Sequence, residues 1–77
     1  MLEAVPEPSG KAVWINPITI VTVEPSYKDK KDGLLYTRVT DVCNRNLIIS
    51  MSDGAIRVLI ERALGLYGRQ DYYGKEN

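Results

Sequence analysis

Apolar and polar residues alternate along several short stretches of the chain, a pattern that is typical of β-strands with one buried face. In the first stretch, residues 11–15, Val13 and Ile15 share one face and Trp14 lies on the other. A turn is expected at Asn16-Pro17, because the residue before a proline is pushed out of the helical region. The first predicted strand therefore ends before this turn.

The second stretch, residues 18–23, consists only of β-branched residues, which favours a strand. The alternation shifts within this stretch, because Ile18 and Ile20 occupy even positions whereas Val21 and Val23 occupy odd ones. Either both faces of this strand are covered, or a bulge between Ile20 and Val21 redirects the side chains. We favour the bulge.

Two further strands are predicted over residues 34–42 and 47–51, with a turn at residues 43–46 that asparagine suits. The alternation places six side chains on the inward face: Leu35, Thr37, Val39, Leu47, Ile49 and Met51. It places Tyr36, Arg38 and Ile48 on the opposite face.

One amphipathic helix is predicted to begin at Ser52-Asp53-Gly54, where Ser52 can accept a hydrogen bond from an early helical amide. The apolar residues that follow recur at helical spacing and form one stripe: Ile56, Leu59, Ile60, Ala63, Leu64 and Tyr67. Gly65 or Gly68 is expected to end the helix. In the alternative, residues 52–54 form a hairpin turn and residues 55–59 form a fifth strand.

These elements predict a single α+β domain over residues 11–68, with a small antiparallel four-stranded sheet (ββββα) and one C-terminal helix packed on one face. Residues 1–10 are expected to be a flexible lead-in, since Pro6, Pro8 and Gly10 oppose regular structure. Residues 69–77 are expected to be a polar tail, or alternatively a docking segment that uses Tyr72 and Tyr73.

The composition argues against most catalytic and metal sites. The 77 residues include no histidine and one cysteine, so the commonest general base and metal ligand are missing. No glycine-rich phosphate loop and no cluster of acidic residues occurs in the sequence. We therefore expect no enzymatic activity, no cofactor, no metal and no small-molecule substrate.

Charge and cysteine content indicate the cellular compartment of the protein and the partners that it is not expected to bind. Ten basic residues balance ten acidic ones, so the net charge gives no reason to expect nucleic acid or an anionic membrane. A single cysteine, Cys43, favours a reducing compartment. With no signal-peptide pattern and no apolar run of about 20 residues, these features predict a cytoplasmic protein without a membrane partner.

The remaining class of function is surface recognition. If the helix covers one face of the sheet, the other face is open and carries Trp14 and Ile48, with Tyr36 and Arg38 near them. Tryptophan, tyrosine and arginine are the residues that are enriched in protein–protein hot spots. These four residues therefore predict a protein partner or self-association. In the alternative, Trp14 belongs to the core and Ile48 is an isolated exposed apolar residue.

A second candidate function is nucleic-acid binding, which is less expected because the chain is neutral overall. It would use the cations of the 28–45 region: Lys28, Lys30, Lys31, Arg38 and Arg45. Tyr27, Tyr36 or Trp14 would then provide stacking surfaces for bases. Two aspartates interrupt the lysines, which favours a solvated hairpin tip instead.

Two segments carry a resemblance to known proteins: Val13-Trp14-Ile15-Asn16-Pro17 and Ile20-Val21-Thr22-Val23-Glu24-Pro25. With the threonine-rich strand, short strand and helix that follow, residues 11–64 resemble small flagellar and swarming-motility proteins and similar short proteins encoded by phages. The resemblance implies a non-enzymatic accessory role. A longer loop at residues 28–33 and additional residues after Gly68 favour a phage or prophage protein over a flagellar one. We therefore expect an accessory or regulatory interaction module that acts through homo- or hetero-association.

Overall fold

A computed structural model describes residues 1–8 and 10–76, with side chains described up to residue 65. Its strands are β1 (Leu2–Pro6), β2 (Val13–Ile15), β3 (Ile20–Val23), β4 (Tyr27–Lys28), β5 (Leu35–Asp41) and β6 (Asn46–Ile49). A 3-10 helix, Pro17–Thr19, precedes β3, and the helix α1 spans Asp53–Glu76.

The strands form one antiparallel sheet in the order β2-β1-β6-β5-β3, and β4 pairs with the other end of β5. The predicted α+β class, antiparallel sheet and C-terminal helix are confirmed. The predicted number of strands is wrong, because the described part of the chain contributes six rather than four. The two additional strands are β1 and the two-residue β4, which lengthens the hairpin that leads into β5.

Strand β1 lies inside the sheet, although the sequence predicts no regular structure for residues 1–10. Leu2 and Ala4 pair with β2, and Val5 and Pro6 pair with β6. Leu2 and Ala4 are also buried. Pro6 is tolerated because it ends the strand, and the next amide, that of Glu7, donates to Asn46 O at 2.9 Å. The prediction of a flexible lead-in is therefore wrong for residues 2–6.

The core lies between the sheet and the first turns of α1. It consists of small and medium aliphatic side chains: Leu2, Ala4, Ile15, Val39, Leu47, Ile49 and Ile56. Ile56 is fully buried and holds α1 against the inner face of the sheet, while Leu59 and Ile60 pack beside it. Burial of each large aliphatic side chain is worth about 1.5–3 kcal/mol, so this short list supplies most of the driving force for folding.

Strand β3 contains the predicted bulge. The register between β3 and β5 shifts between Ile20 and Thr22, which leaves Val21 as the additional residue. Val21 is exposed, whereas Ile20 and Val23 pack against the core. The strand begins two residues later than expected, because Asn16 caps the 3-10 helix by accepting a hydrogen bond from Ile18 N at 3.2 Å.

Helix α1 begins where the sequence predicts. Ser52 Oγ accepts a hydrogen bond from Ala55 N at 3.1 Å, which satisfies an amide at the start of the helix. The alternative of a fifth strand over residues 55–59 is therefore wrong.

The end of α1 differs from the prediction. The helix continues through Gly65 and Gly68 to Glu76, so it includes most of the expected tail at residues 69–77. Glycine weakens a helix interior but ends a helix only where the backbone becomes left-handed. The predicted stripe packs on the core through Leu59 and Ile60, whereas Leu64 is 53% exposed. The side chains of Tyr67, Tyr72 and Tyr73 lie outside the described set, and so does the proposed docking role of the last two.

The interior position of β1 can be tested with two identical substitutions. Leu2→Ala removes a buried side chain and should lower the free energy of unfolding by about 2–4 kcal/mol. Leu34→Ala makes the same change at a side chain that is 53% exposed, and should shift stability by less than about 0.5 kcal/mol. Urea unfolding followed by circular dichroism measures both. Equal effects of the two variants would contradict the strand assignment.

Candidate protein-interaction surface

The face of the sheet opposite α1 is formed by alternate residues of four adjacent strands. In the strand registers Glu3 lies opposite Trp14, Val5 opposite Ile48, and Ile48 opposite Arg38. Their chain neighbours, such as Leu2, Ala4, Leu47 and Val39, are buried in the core, so these side chains point to the other side. We call this surface the open face, and it comprises Glu3, Val5, Trp14, Tyr36, Arg38 and Ile48.

Trp14 is the most conspicuous residue of the open face. It is 65% exposed, so the alternative that it belongs to the core is wrong. Its direct cross-strand neighbour is Glu3, and Val5 is the diagonal neighbour on the same strand as Glu3. Val5 and Ile48 are half-buried and continue the apolar surface across β1 and β6. An exposed tryptophan thus shares one face with two aliphatic residues, of which Val5 is its diagonal neighbour and Ile48 lies one strand further.

Arg38 is held between two carboxylates at the β5 side of the open face. Its Nε and Nη2 lie 3.0 and 3.1 Å from the two carboxylate oxygens of Glu7. Nη1 lies 3.9 Å from Glu24 Oε1. The hydrogen bonds to Glu7, and next the Glu7 charge, raise the pKa of Arg38. The two-point contact fixes the plane of the Arg38 guanidinium. Because the ion pair is exposed, it adds little to the stability of the fold, and its main effect is to orient Arg38 for contact with a partner.

Tyr36 extends the open face toward the hairpin tip. Its hydroxyl donates to Asp32 Oδ2, which raises the pKa of Tyr36 and lowers the pKa of Asp32. The Tyr36 ring also lies 6.1 Å from the Tyr27 ring between centroids, at an interplanar angle of 33°. At the tip Gly33 adopts a φ of 73°, a conformation that glycine accepts without strain. The solvated hairpin expected from the sequence is therefore present.

The five cations of the alternative nucleic-acid site do not form one patch. Lys28, Lys30 and Lys31 lie at or near the hairpin tip, whereas Arg45 follows the opposite end of β5. Seven strand residues span about 20 Å, which separates these two groups. Arg38 lies between them and is already paired with Glu7. The structure therefore places the four predicted protein-interface residues on one face of the sheet, whereas the predicted nucleic-acid residues are spread from one end of β5 to the other and two of them are engaged by carboxylates.

Arg45 instead completes a turn around a buried carboxylate. Asp41 accepts hydrogen bonds from Arg45 N at 2.8 Å, Arg45 Nε at 2.8 Å and Cys43 N at 3.0 Å. These bonds, with that from the Arg45 amide first, lower the pKa of Asp41 against the opposing effect of its burial. Asn44 has a φ of 63°, the left-handed conformation that favours asparagine here. Cys43 is a free thiol on the exposed side of this turn.

Other kinds of site find no support in the described residues. Within residues 1–8 and 10–65, whose side chains are described, no group of three or more histidine, cysteine, aspartate or glutamate residues is placed to hold a metal ion. No helix within residues 1–8 and 10–76 has the length and apolar character needed to cross a membrane.

Sequence reasoning misses Glu3 and Val5 on the open face, and Glu7 beside it, because the prolines of residues 1–10 argue against a strand there. The signal that identifies them is the alternation in Leu2-Glu3-Ala4-Val5, which is typical of a strand with one buried face. The sequence suggests Tyr27 only as a stacking surface for bases, because its contact with Tyr36 depends on the pairing of β4 with β5.

The carboxylate at the turn after β5 predicts a specific acid dependence of stability. Because the pKa of Asp41 is lowered in the folded state, its contribution is fully present above the ordinary value of about 3.9 and is lost as the pH falls through the lowered pKa. Asp41→Asn should therefore be less stable than wild type at neutral pH, with a difference that shrinks in acid. Urea midpoints across the acid range measure this difference, and Glu61→Gln on the exposed side of α1 is the control. A constant difference at all pH values would contradict the assignment.

Comparisons with protein-family models, curated proteins and solved structures give no match to this chain. The resemblance to small motility proteins and phage proteins therefore stays a prediction, and the geometry of the open face carries the functional argument.

Proposed function

We propose that this protein is a small non-catalytic interaction module that binds another protein molecule through its open face. The single observation that carries the proposal is the 65% exposure of Trp14 on the face of the sheet that also carries the half-buried aliphatic side chains of Val5 and Ile48. Tryptophan is rarely left in water without a function, because removing its large apolar surface from water is strongly favourable.

The arrangement around Trp14 has the anatomy of a binding hot spot. An aromatic and aliphatic centre is bordered by charged and polar side chains, of which Arg38 is held in place by Glu7 and Glu24. A side chain that is fixed before binding loses less conformational entropy when the partner arrives. The open face therefore supplies the two residue types, tryptophan and arginine, that contribute most often to binding energy.

The size of the open face indicates a transient or moderate interaction. Four strands spaced about 4.8 Å apart, with about four residues each, offer a small surface compared with the roughly 800 Å² per partner of a standard interface. We expect association with a second copy or with another protein at the low end of the size range. The resemblance of residues 13–25 supports a phage or prophage origin. An interaction of this small size would suit an accessory or regulatory factor in that setting.

Nucleic-acid binding is the weaker proposal. Two of its five cations, Arg38 and Arg45, are engaged by carboxylates of the same chain. Of the acidic residues near the three lysines, Asp29 lies between them and Asp32 follows them. A phosphate backbone would have to compete with these carboxylates for each arginine.

Affinity capture with matched variants tests the proposed function. The immobilised full chain should capture a defined partner from a lysate of the source cells, and Trp14→Ser should reduce recovery by about tenfold or more, as expected for a hot-spot residue. Leu64→Ser is the control, because Leu64 is an exposed apolar residue on α1, away from the open face. Both substitutions should leave the thermal midpoint nearly unchanged.

Equal recovery of the partner with Trp14→Ser and with wild type would overturn the proposal. Equal loss with both variants would also overturn it, because the interaction would then reflect general surface hydrophobicity.

A further inference from the structure

The charged side chains around the open face are unbalanced. Glu3 lies on it, and Glu7 and Glu24 reach Arg38 from its two sides, so three carboxylates accompany one guanidinium. The whole chain carries no net charge, which makes this acidic excess a local property of the surface. Lys28 and Arg45 do not lie among these carboxylates, because Lys28 pairs opposite Leu35 in the hairpin and Arg45 binds Asp41.

Glu3 differs from the other two carboxylates. Glu7 and Glu24 are engaged by Arg38, whereas the Glu3 carboxylate has no hydrogen bond or ion pair within the described residues 1–8 and 10–65. It lies directly across the strands from Trp14, and paired residues in an antiparallel sheet have Cβ atoms about 4.5–5.5 Å apart. A single cation can therefore lie on the indole face and contact this carboxylate at the same time.

From this geometry we propose that the open face binds a basic, extended segment of another protein, with a lysine or arginine cation held between the Trp14 indole and the Glu3 carboxylate. The proposal rests on the proposed function and names the chemistry of the partner. Cation–π attraction is strongest with tryptophan, and the adjacent carboxylate adds a charge-assisted contact.

The spacing along β1 indicates the form of the segment. Glu3 and Val5 point outward two residues apart, and Glu7 continues the series in line to hold Arg38. Side chains on one face of an extended chain also recur every two residues, about 6.6 Å apart. Because Arg38 already engages Glu7, the positions open to a partner are the acidic Glu3 and the apolar Val5. A partner strand with a basic and an apolar residue two positions apart matches them.

The same charges oppose the other candidate occupants. A second copy that faces the first through this surface would bring two acidic excesses together, and nucleic acid would bring phosphates to them. The exposed indole beside an unengaged carboxylate thus selects a cationic protein segment.

Peptide titrations of the full chain test the proposal. The probe is acetyl-Arg-Thr-Val-Thr-Arg-amide, and the matched control is acetyl-Gln-Thr-Val-Thr-Gln-amide. Because the chain contains one tryptophan, its indole N–H gives a single signal in an amide NMR spectrum. We expect the arginine peptide to shift this signal together with the amides of Glu3 and Val5. Its dissociation constant should be at least about fivefold lower than that of the glutamine peptide, and should rise with salt.

Two variants locate the cation. Trp14→Leu and Glu3→Gln should each weaken binding of the arginine peptide severalfold, and Glu3→Gln should leave binding of the glutamine peptide unchanged. Glu61→Gln removes an exposed carboxylate on α1 and should have no effect.

The proposal is overturned if the two peptides bind equally, if the shifts fall outside the open face, or if no shift occurs at millimolar peptide. A concentration-dependent dimer that Trp14→Leu abolishes would also overturn it, in favour of a second copy. These outcomes differ from failure of the proposed function. A captured partner that still depends on Trp14 would uphold the interaction module even when the arginine peptide fails, whereas a partner indifferent to Trp14→Ser would remove both.

Discussion

The fold depends on the placement of β1 between β2 and β6. This strand pairs with β2 through its first residues and with β6 through its last ones, so among the described residues it joins the tryptophan strand to the rest of the sheet. Its inward side chains, Leu2 and Ala4, belong to the core, and its outward side chains, Glu3 and Val5, belong to the open face. One short strand therefore couples the packing that stabilises the domain to the surface that we propose for binding. In so small a domain few other contacts can replace it.

Local signals in the sequence were sufficient for most elements. Alternation identified β2, β5 and β6, the parity shift identified the bulge at Val21, and Ser52 identified the start of α1. The failures came from residues that oppose regular structure on average but were tolerated here. Pro6 ends β1, where its missing amide is not needed, and Gly65 lies inside a helix that does not turn left-handed there. Such outcomes depend on tertiary pairing, which single-residue preferences do not contain.

The candidate site was predictable only in part, because alternation along a strand shows which face a side chain lies on but not what it contacts. Strand parity placed Trp14, Arg38 and Ile48 on one face without any knowledge of strand order, and the registers agree with that placement. Parity could not show that Glu7 would reach Arg38 from 31 residues away in the chain. It also could not show that Arg45 would turn back onto a buried aspartate. The charge of the surface, which decides the kind of partner, therefore emerged only from the three-dimensional arrangement.

The exposure of Trp14 also determines what the intrinsic fluorescence of this protein reports. Its only indole is surrounded largely by water in the native state and also in the denatured chain, so emission should change little as the core melts. Covering the indole with another molecule would change its surroundings far more than denaturation does. The fluorophore is thus a natural sensor of occupancy, and an unfolding curve followed by its emission would have a small amplitude.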